Sequence, residues 1–243
     1  EPSYGWNTIV LVAVVVFVAV FIHSFVGFGF ALIVTPLLVS LIGLQAAVPL
    51  VSAIGIVLQL LLLIIYRSLI DLRTVFWLCA GAVPGIPLGM AALHVFDESI
   101  ALPALGLVTL LYVALSASHW SWSISERPGV ACLFGLGAGG LSGAFNAPGP
   151  VTIVYGRGRD WSPDEFKSNL QGFFFFNAVI TLGARFIGGD LTPGTWQNLG
   201  TALPAIVLGV ALGSALGGRV SPKVFDKFVL ALLAVMGARL VLG

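Results

Sequence analysis

"SGAFNAPGPVTIVY", residues Ser142–Tyr155, is an apolar stretch that cannot continue as a single helix. Pro148 and Pro150 each lack the amide donor a helix needs and clash with the preceding turn, and Gly149 between them loosens the backbone further. The chain is therefore expected to unwind around Asn146–Gly149 and restart as a half-helix, with Pro150 suited to its first turn. The apolar run after the break, Pro148–Gly156, falls well short of the roughly 20 residues needed to cross a bilayer.

Moved back by 119 positions, this stretch falls on "HSFVGFGFALIVTP", His23–Pro36, where Gly27 and Gly29 weaken the helix at the same place, more mildly. The same shift carries Ala46–Tyr66 onto Glu165–Arg185, Val75–Val95 onto Gly194–Ser214, and Ser99–Trp120 onto Gly218–Arg239. Identity is low, but the order and length of the segments are preserved. The chain thus divides into two halves, 1–122 and 123–243, each with about five hydrophobic segments. An odd number of crossings per half puts the halves in opposite orientation, the inverted-repeat plan of many secondary transporters.

Composition sets the solvent. Of 243 residues, 58% are hydrophobic and 9% charged, against about 25% charged in soluble domains. So few charges cannot cover a surface facing water, and lipid must surround most of the chain. The expected fold is an all-α polytopic membrane protein, built as two inverted-topology repeats with broken or re-entrant helices at the midplane. The net charge of +1, without a basic stripe, gives no footprint for nucleic acid. Cys79 and Cys132 lie in apolar segments with no Cys-x-x-Cys and no nearby His, so they are expected to be core thiols, and no metal or cofactor site is expected. The first apolar segment lacks a basic flank and is expected to span rather than to be a cleaved leader.

The charges orient the segments. With the Arg67–Arg73 loop in the cytoplasm, nine of the eleven Lys and Arg residues fall inside, leaving Arg185 and Arg239. Loops 67–73 and 186–194 then lie on opposite faces, as inversion requires, and both termini are external. The first two segments of each half either span twice or dip in and return, and the short Pro148–Gly156 run favours the dip. Trp120 and Trp122 suit an interfacial anchor. Arg185, at a helix end, is expected to snorkel outward or to guide anions in.

A restarting helix exposes amide donors and the positive end of its dipole, which favour an anion. Two such ends, brought together by inverted symmetry, would bind one without a buried Lys or Arg. The candidate binding groups are the backbone of Gly27, Phe28, Gly29 and Phe30, and of Asn146, Ala147, Gly149 and Val151. Side-chain candidates are Ser24, Gln59, Asn146, Gln171 and Asn177, because polar groups at membrane depth are functional candidates by default. Asn169 and Ser52 accompany them; Ser52 shares a helix face with Gln59 and is the repeat mate of Gln171. Each could equally tie helices together. Phe173, in the run "FFFF", is expected to wall the site. His23 borders the first break, as a proton carrier for coupling or as a packed structural histidine.

Two stretches resemble the sulfite exporter TauE/SafE family. They are "LSGAFNAPGPVTIVYGRGRDWSPDEFKSNLQGFFFF", similar to that family's G-x-x-G-P-x-x-x-x-Y signature and the loop and helix after it, and the C-terminal "LPAIVLGVALGSALGGRVSPKVFDKFVLALLAVMGARLVL". The glycine-rich break ending "TPLL" in the first half adds to them. Asn146 and Pro148 stand where glycines are usual, and Lys167 where an arginine is common. The resemblance implies an inverted repeat that moves sulfite, organosulfonates or related organic anions across a bacterial inner membrane. The function expected is a secondary transporter of small anions, not an enzyme, with a small anionic substrate and the bilayer as partners; a homodimer is compatible with this. A passive anion channel, or a transporter of a non-sulfur organic acid, is the alternative.

Overall fold

In a computed structural model, residues 6–117, 123–159, 161–216 and 222–242 are described. Trp120, Trp122 and Arg219 lie outside them. The described residues form ten α-helices and no strand: α1 (Trp6–Val26), α2 (Phe30–Ile42), α3 (Leu44–Tyr66), α4 (Leu72–Val95), α5 (Glu98–Ala117), α6 (Pro128–Phe145), α7 (Gly149–Arg157), α8 (Pro163–Gly188), α9 (Pro193–Leu216) and α10 (Pro222–Leu242). Six of them, α1, α3, α4, α6, α8 and α9, are long and apolar enough to cross a membrane. In α2, α5 and α10 the apolar stretches are shorter.

Helices are what this composition demands in lipid, where each amide must be satisfied within its own segment. Large apolar side chains such as Val10, Val14, Ile64, Leu88, Leu107 and Val207 stay exposed. They face the surroundings, and small residues face the neighbours. Along α4, Gly81, Gly85 and Gly89 lie against Cys132, Leu136 and Gly140 of α6, so closely that an added Cβ would fall within 2.4 Å of a carbonyl oxygen at each. Gly135, Gly139 and Gly143 return the contact onto Leu78, Ala82 and Ile86. Residue numbers rise together along both helices, so α4 and α6 run parallel. α1 and α9 also run parallel, with Gly209 against Phe17 and Val20, and Gly213 against Phe21 and Ser24.

At the centre α3 crosses α8. Tyr66, at the end of α3, lies under the Lys167 ammonium near the start of α8, 5.8 Å from the ring centroid. At the other end, Leu44 and Gln45 share a cavity with Arg185. The two helices are therefore antiparallel. The packing repeats under exchange of the halves: α4 on α6 corresponds to α9 on α1, α2 on α3 to α7 on α8, and α5 packs on α10. Asp71 caps α4 through the amides of Arg73 and Thr74, and Ser162 with Glu165 forms a capping box for α8.

Candidate functional site

Two helix breaks frame the site. α6 stops at Phe145 and α7 starts at Gly149, as the prolines predict. Asn146 between them is left-handed at φ 55°, a conformation Asn tolerates better than most residues. α1 gives way to α2 across Gly27 and Gly29, at φ 99° and 98°, where any side chain would be strained.

Each break is clamped to one of the crossing helices. Gln171 Nε2 donates to the Gly27 carbonyl at 2.8 Å. At the equivalent place Ser52 Oγ donates to Asn146 Oδ1 at 2.5 Å, and Asn146 Nδ2 donates to the Val48 carbonyl at 2.8 Å. Residues 27 and 146, and 52 and 171, are each 119 apart, so equivalent positions are joined in both halves, through the Gly27 backbone in one and the Asn146 side chain in the other. Thr35 Oγ1 donates to the Phe145 carbonyl at 3.3 Å and links α2 to the end of α6.

Between the breaks lies a cavity of about 60 Å³. That is several times the roughly 10–15 Å³ that one water needs. Among the expected residues, Gly29, Phe30 and Gln59 line it from the first half, with His23, and Asn146, Ala147, Gly149 and Asn177 from the second. Ser24, Gly27, Phe28, Val151 and Gln171 do not line it. Ser24 Oγ is turned back to the Val20 carbonyl, and Phe28 packs edge-on against Tyr112. Gln171 Nε2 is taken by the Gly27 carbonyl, while Gln171 Oε1 is buried with no partner among the described residues. Asn169 accepts from the Asp71 amide at 2.6 Å, away from the cavity. Phe174, with its ring 6.1 Å from that of His23, takes the wall position expected of Phe173.

Ser142 and Thr181 line the cavity without having been expected there. Ser142 Oγ accepts from Asn177 Nδ2 at 2.5 Å and lies 3.0 Å from Thr181 Oγ1. Both left a trace in the sequence. Ser142 is the repeat mate of His23, and Thr181 is one turn beyond Asn177. The backbone adds donors. In α2, Phe30 N donates to His23 Nδ1 at 3.1 Å, leaving Ala31 and Leu32 as first-turn amides without an intrahelical acceptor. In α7, Pro150 has no N–H, so Gly149 and Val151 are the corresponding pair.

The His23 ring accepts through Nδ1, so when neutral it carries its proton on Nε2, which lies 3.4 Å from Gln59 Nε2. Two donors would meet there, so the Gln59 amide is assigned with its oxygen toward the ring, as the acceptor. Gln59 Nε2 and Asn177 Nδ2 are the amide donors at the cavity, and Asn177 Oδ1, buried without a partner among the described residues, can accept only from an N–H or O–H of a guest. No Lys, Arg, Asp or Glu lines the cavity among the described residues. Nor does any group of three or more His, Cys, Asp or Glu among them suit a metal ion. Such a site can hold an anion through amide and hydroxyl dipoles.

Arg185 does not snorkel. Its side chain is 2% exposed, donating Nη1 to Asp190 Oδ2 at 3.1 Å and Nη2 to the Gly143 carbonyl at 2.5 Å. It thereby caps the last turn of α6 just before the break, where a cation also meets the negative end of the helix dipole. It lines a cavity of about 540 Å³ with Asp97, Asp190 and Thr192, beyond the starts of α3 and α9.

A family model, sulfite exporter TauE/SafE, matches residues 11–240. No curated protein and no solved structure gave a match. With nearly its whole length covered, and with six helices apolar enough to span a bilayer, the chain is a multi-pass membrane transporter that belongs to the sulfite exporter TauE/SafE family.

Proposed function

We propose that the protein is a secondary transporter that moves a small anion, sulfite or an organosulfonate, across the bacterial inner membrane by alternating access. The observation that carries this reading is the meeting of two helix N-termini, one from each half, on a single cavity lined by amides and hydroxyls and free of carboxylates among the described residues. First-turn amides and the dipoles behind them stabilise an anion. Gln59, Asn177, Ser142 and Thr181 supply the hydrogen bonds that shape the pocket around its oxygens.

The halves 1–122 and 123–243 act as inverted repeats, with α2 and α7 re-entrant and the breaks near the midplane. In support, α3 and α8 occupy equivalent positions and run antiparallel, and the cavity lies midway along both. The parallel pairs α4–α6 and α1–α9 agree with the orientation set by the charges, which leaves both termini external. Rocking of the broken helix pairs against the crossed α3 and α8 would open the cavity to one face at a time. The sequence carries no Gly-x-x-x-x-Gly-Lys-[Ser/Thr] loop for ATP, which favours an ion or substrate gradient as the energy source. Among the described residues, His23 is the titratable side chain at the cavity. Protonation of Nδ1 would end its acceptor role and release the Phe30 amide to the anion.

Thermal stability of the purified protein, measured with sulfite, sulfate, thiosulfate, sulfoacetate, taurine and short carboxylates, tests the reading. A ligand of the folded state at 100 times its Kd adds about 2.7 kcal/mol. A sulfur oxyanion should stabilise the protein, and Gln59→Glu and Asn177→Asp, near-isosteric changes that place a carboxylate at the cavity, should each weaken it at least about tenfold. Uptake into vesicles at two pH values should saturate, and its pH dependence should vanish in His23→Gln. No response to any anion, or an unchanged response in both acidic variants, rejects the site; unsaturable flux would make the protein a channel.

A further inference from the structure

A second polar cavity, of about 530 Å³, opens between the starts of α4 and α6 and the end of α7. It shares no lining residue with the central cavity and lies at the end of α4 opposite to Arg185. Arg159 lies within it, its side chain 8% exposed. Nη2 donates to Glu126 Oε1 at 2.9 Å, and the guanidinium lies over the Tyr155 ring, 5.9 Å from its centroid. Nε and Nη1 are buried with no acceptor among the described residues. A charged donor withdrawn from water and left unpaired is costly, and this guanidinium leaves two nitrogens in that state.

The charges around it favour an anion. Arg73, Arg127 and Arg159 line the cavity against Asp71 and Glu126. Asp71 stays ionised: burial would raise its pKa, but the Thr74 hydroxyl, the amides of Thr74 and Arg73, and the charge of Arg159 together hold it below the usual carboxylate range. Both Asp71 oxygens already accept from those Thr74 and Arg73 donors. Glu126, the acceptor that Arg159 does have, is 84% exposed and on the rim. An exposed carboxylate holding a buried arginine is readily exchanged, because most of its interaction is made against water.

We propose that this cavity is a second oxyanion site, in which a sulfate-, sulfonate- or phosphate-type group displaces Glu126 and is held by the Arg159 fork, with Arg73 and Arg127 at the rim. A guanidinium presents paired N–H donors that match two oxygens of such a group. The ligand is either a free oxyanion or the phosphate of an anionic lipid headgroup. The site stands whether or not the central cavity carries the transported anion.

The test uses the full chain in detergent at constant ionic strength, with calorimetric and thermal-shift titrations of sodium sulfate, sodium phosphate and phosphatidylglycerol, and phosphatidylcholine as control. At least one anionic probe should bind the unaltered protein. Arg159→Gln should weaken it roughly tenfold or more, as expected for loss of hydrogen bonds to a charged group. Glu126→Gln, on the exposed rim, should tighten it severalfold. Binding of sulfate or phosphate identifies a free oxyanion, and binding of phosphatidylglycerol alone identifies a headgroup; either supports the site. Equal affinity of every probe for the unaltered protein, Arg159→Gln and Glu126→Gln would overturn it. Should Arg159→Gln fail to fold, Arg127→Gln and Glu126→Gln decide the matter, and no change in either overturns it.

Discussion

Asn146 and Gln171 illustrate how a polar residue at a helix break can hold the break in place. Both residue types suit an oxyanion, and Asn146 sits where one would be held. In the folded chain the Asn146 amide is spent on α3, accepting from Ser52 and donating to the Val48 carbonyl, and the Gln171 Nε2 donor is spent on Gly27. Their substitution is therefore expected to act on stability before binding. Asn146→Gly keeps the left-handed backbone and loses the side-chain bonds, at about 1 kcal/mol each. Asn146→Leu loses the same bonds and adds about 1–2 kcal/mol of backbone strain at φ 55°. Thermal unfolding should rank the unaltered protein first, Asn146→Gly second and Asn146→Leu last; a Leu variant as stable as the Gly variant would contradict the clamp. Gln59 and Asn177 fared differently. They share a cavity, which Gln171 does not line, because α3 and α8 cross there.

Among the elements, α4 and α6 depend most on what they lack. Glycines four apart line one face of each, and side chains there would occupy the backbone of the neighbour. The spacing is visible in the sequence, but which helix fills each stripe is not, since any small-residue face offers a close approach. A Cβ at Gly135 would fall 2.0 Å from the Leu78 carbonyl oxygen, whereas one at Gly183, in α8, would meet nothing within 4 Å. Gly135→Ala is expected to destabilise the protein by about 1–3 kcal/mol or more as the helices are forced apart. Gly183→Ala should be neutral or stabilising by up to about 1 kcal/mol, through helix propensity alone. Unfolding midpoints of the two variants in one detergent check this, and equal midpoints would refute the packing argument. The breaks themselves were legible, because their cause is local: Pro148 and Pro150 end a helix whatever surrounds them, while Gly27 and Gly29 needed the comparison with the second half.

Across the whole molecule, the cavities of Arg185 and Arg159 lie at opposite ends of α4, and the small central cavity lies between the two breaks. Thr192 belongs to the cavity of Arg185 and Ser125 to that of Arg159, and both are exposed. In a background without Cys79 and Cys132, Thr192→Cys should react with an impermeant thiol reagent from outside the cell, and Ser125→Cys only after the membrane is opened. Labelling of both from the same side would reject the proposed inversion.

Lipid as the solvent, the 119-residue recurrence and the positions of the breaks all follow from the sequence by itself. Each has a cause within a few residues: too few charges to face water, prolines without an amide, glycines free to turn. The tertiary structure decided which polar groups face the cavity and which hold it together. It also decided that Arg185 is buried rather than extended to the surface, because Asp190 and the Gly143 carbonyl stand ready to receive it. Those assignments rest on partners far away in the chain or across a break. A side chain's chemistry specifies what it can bond to, and only packing specifies what it meets.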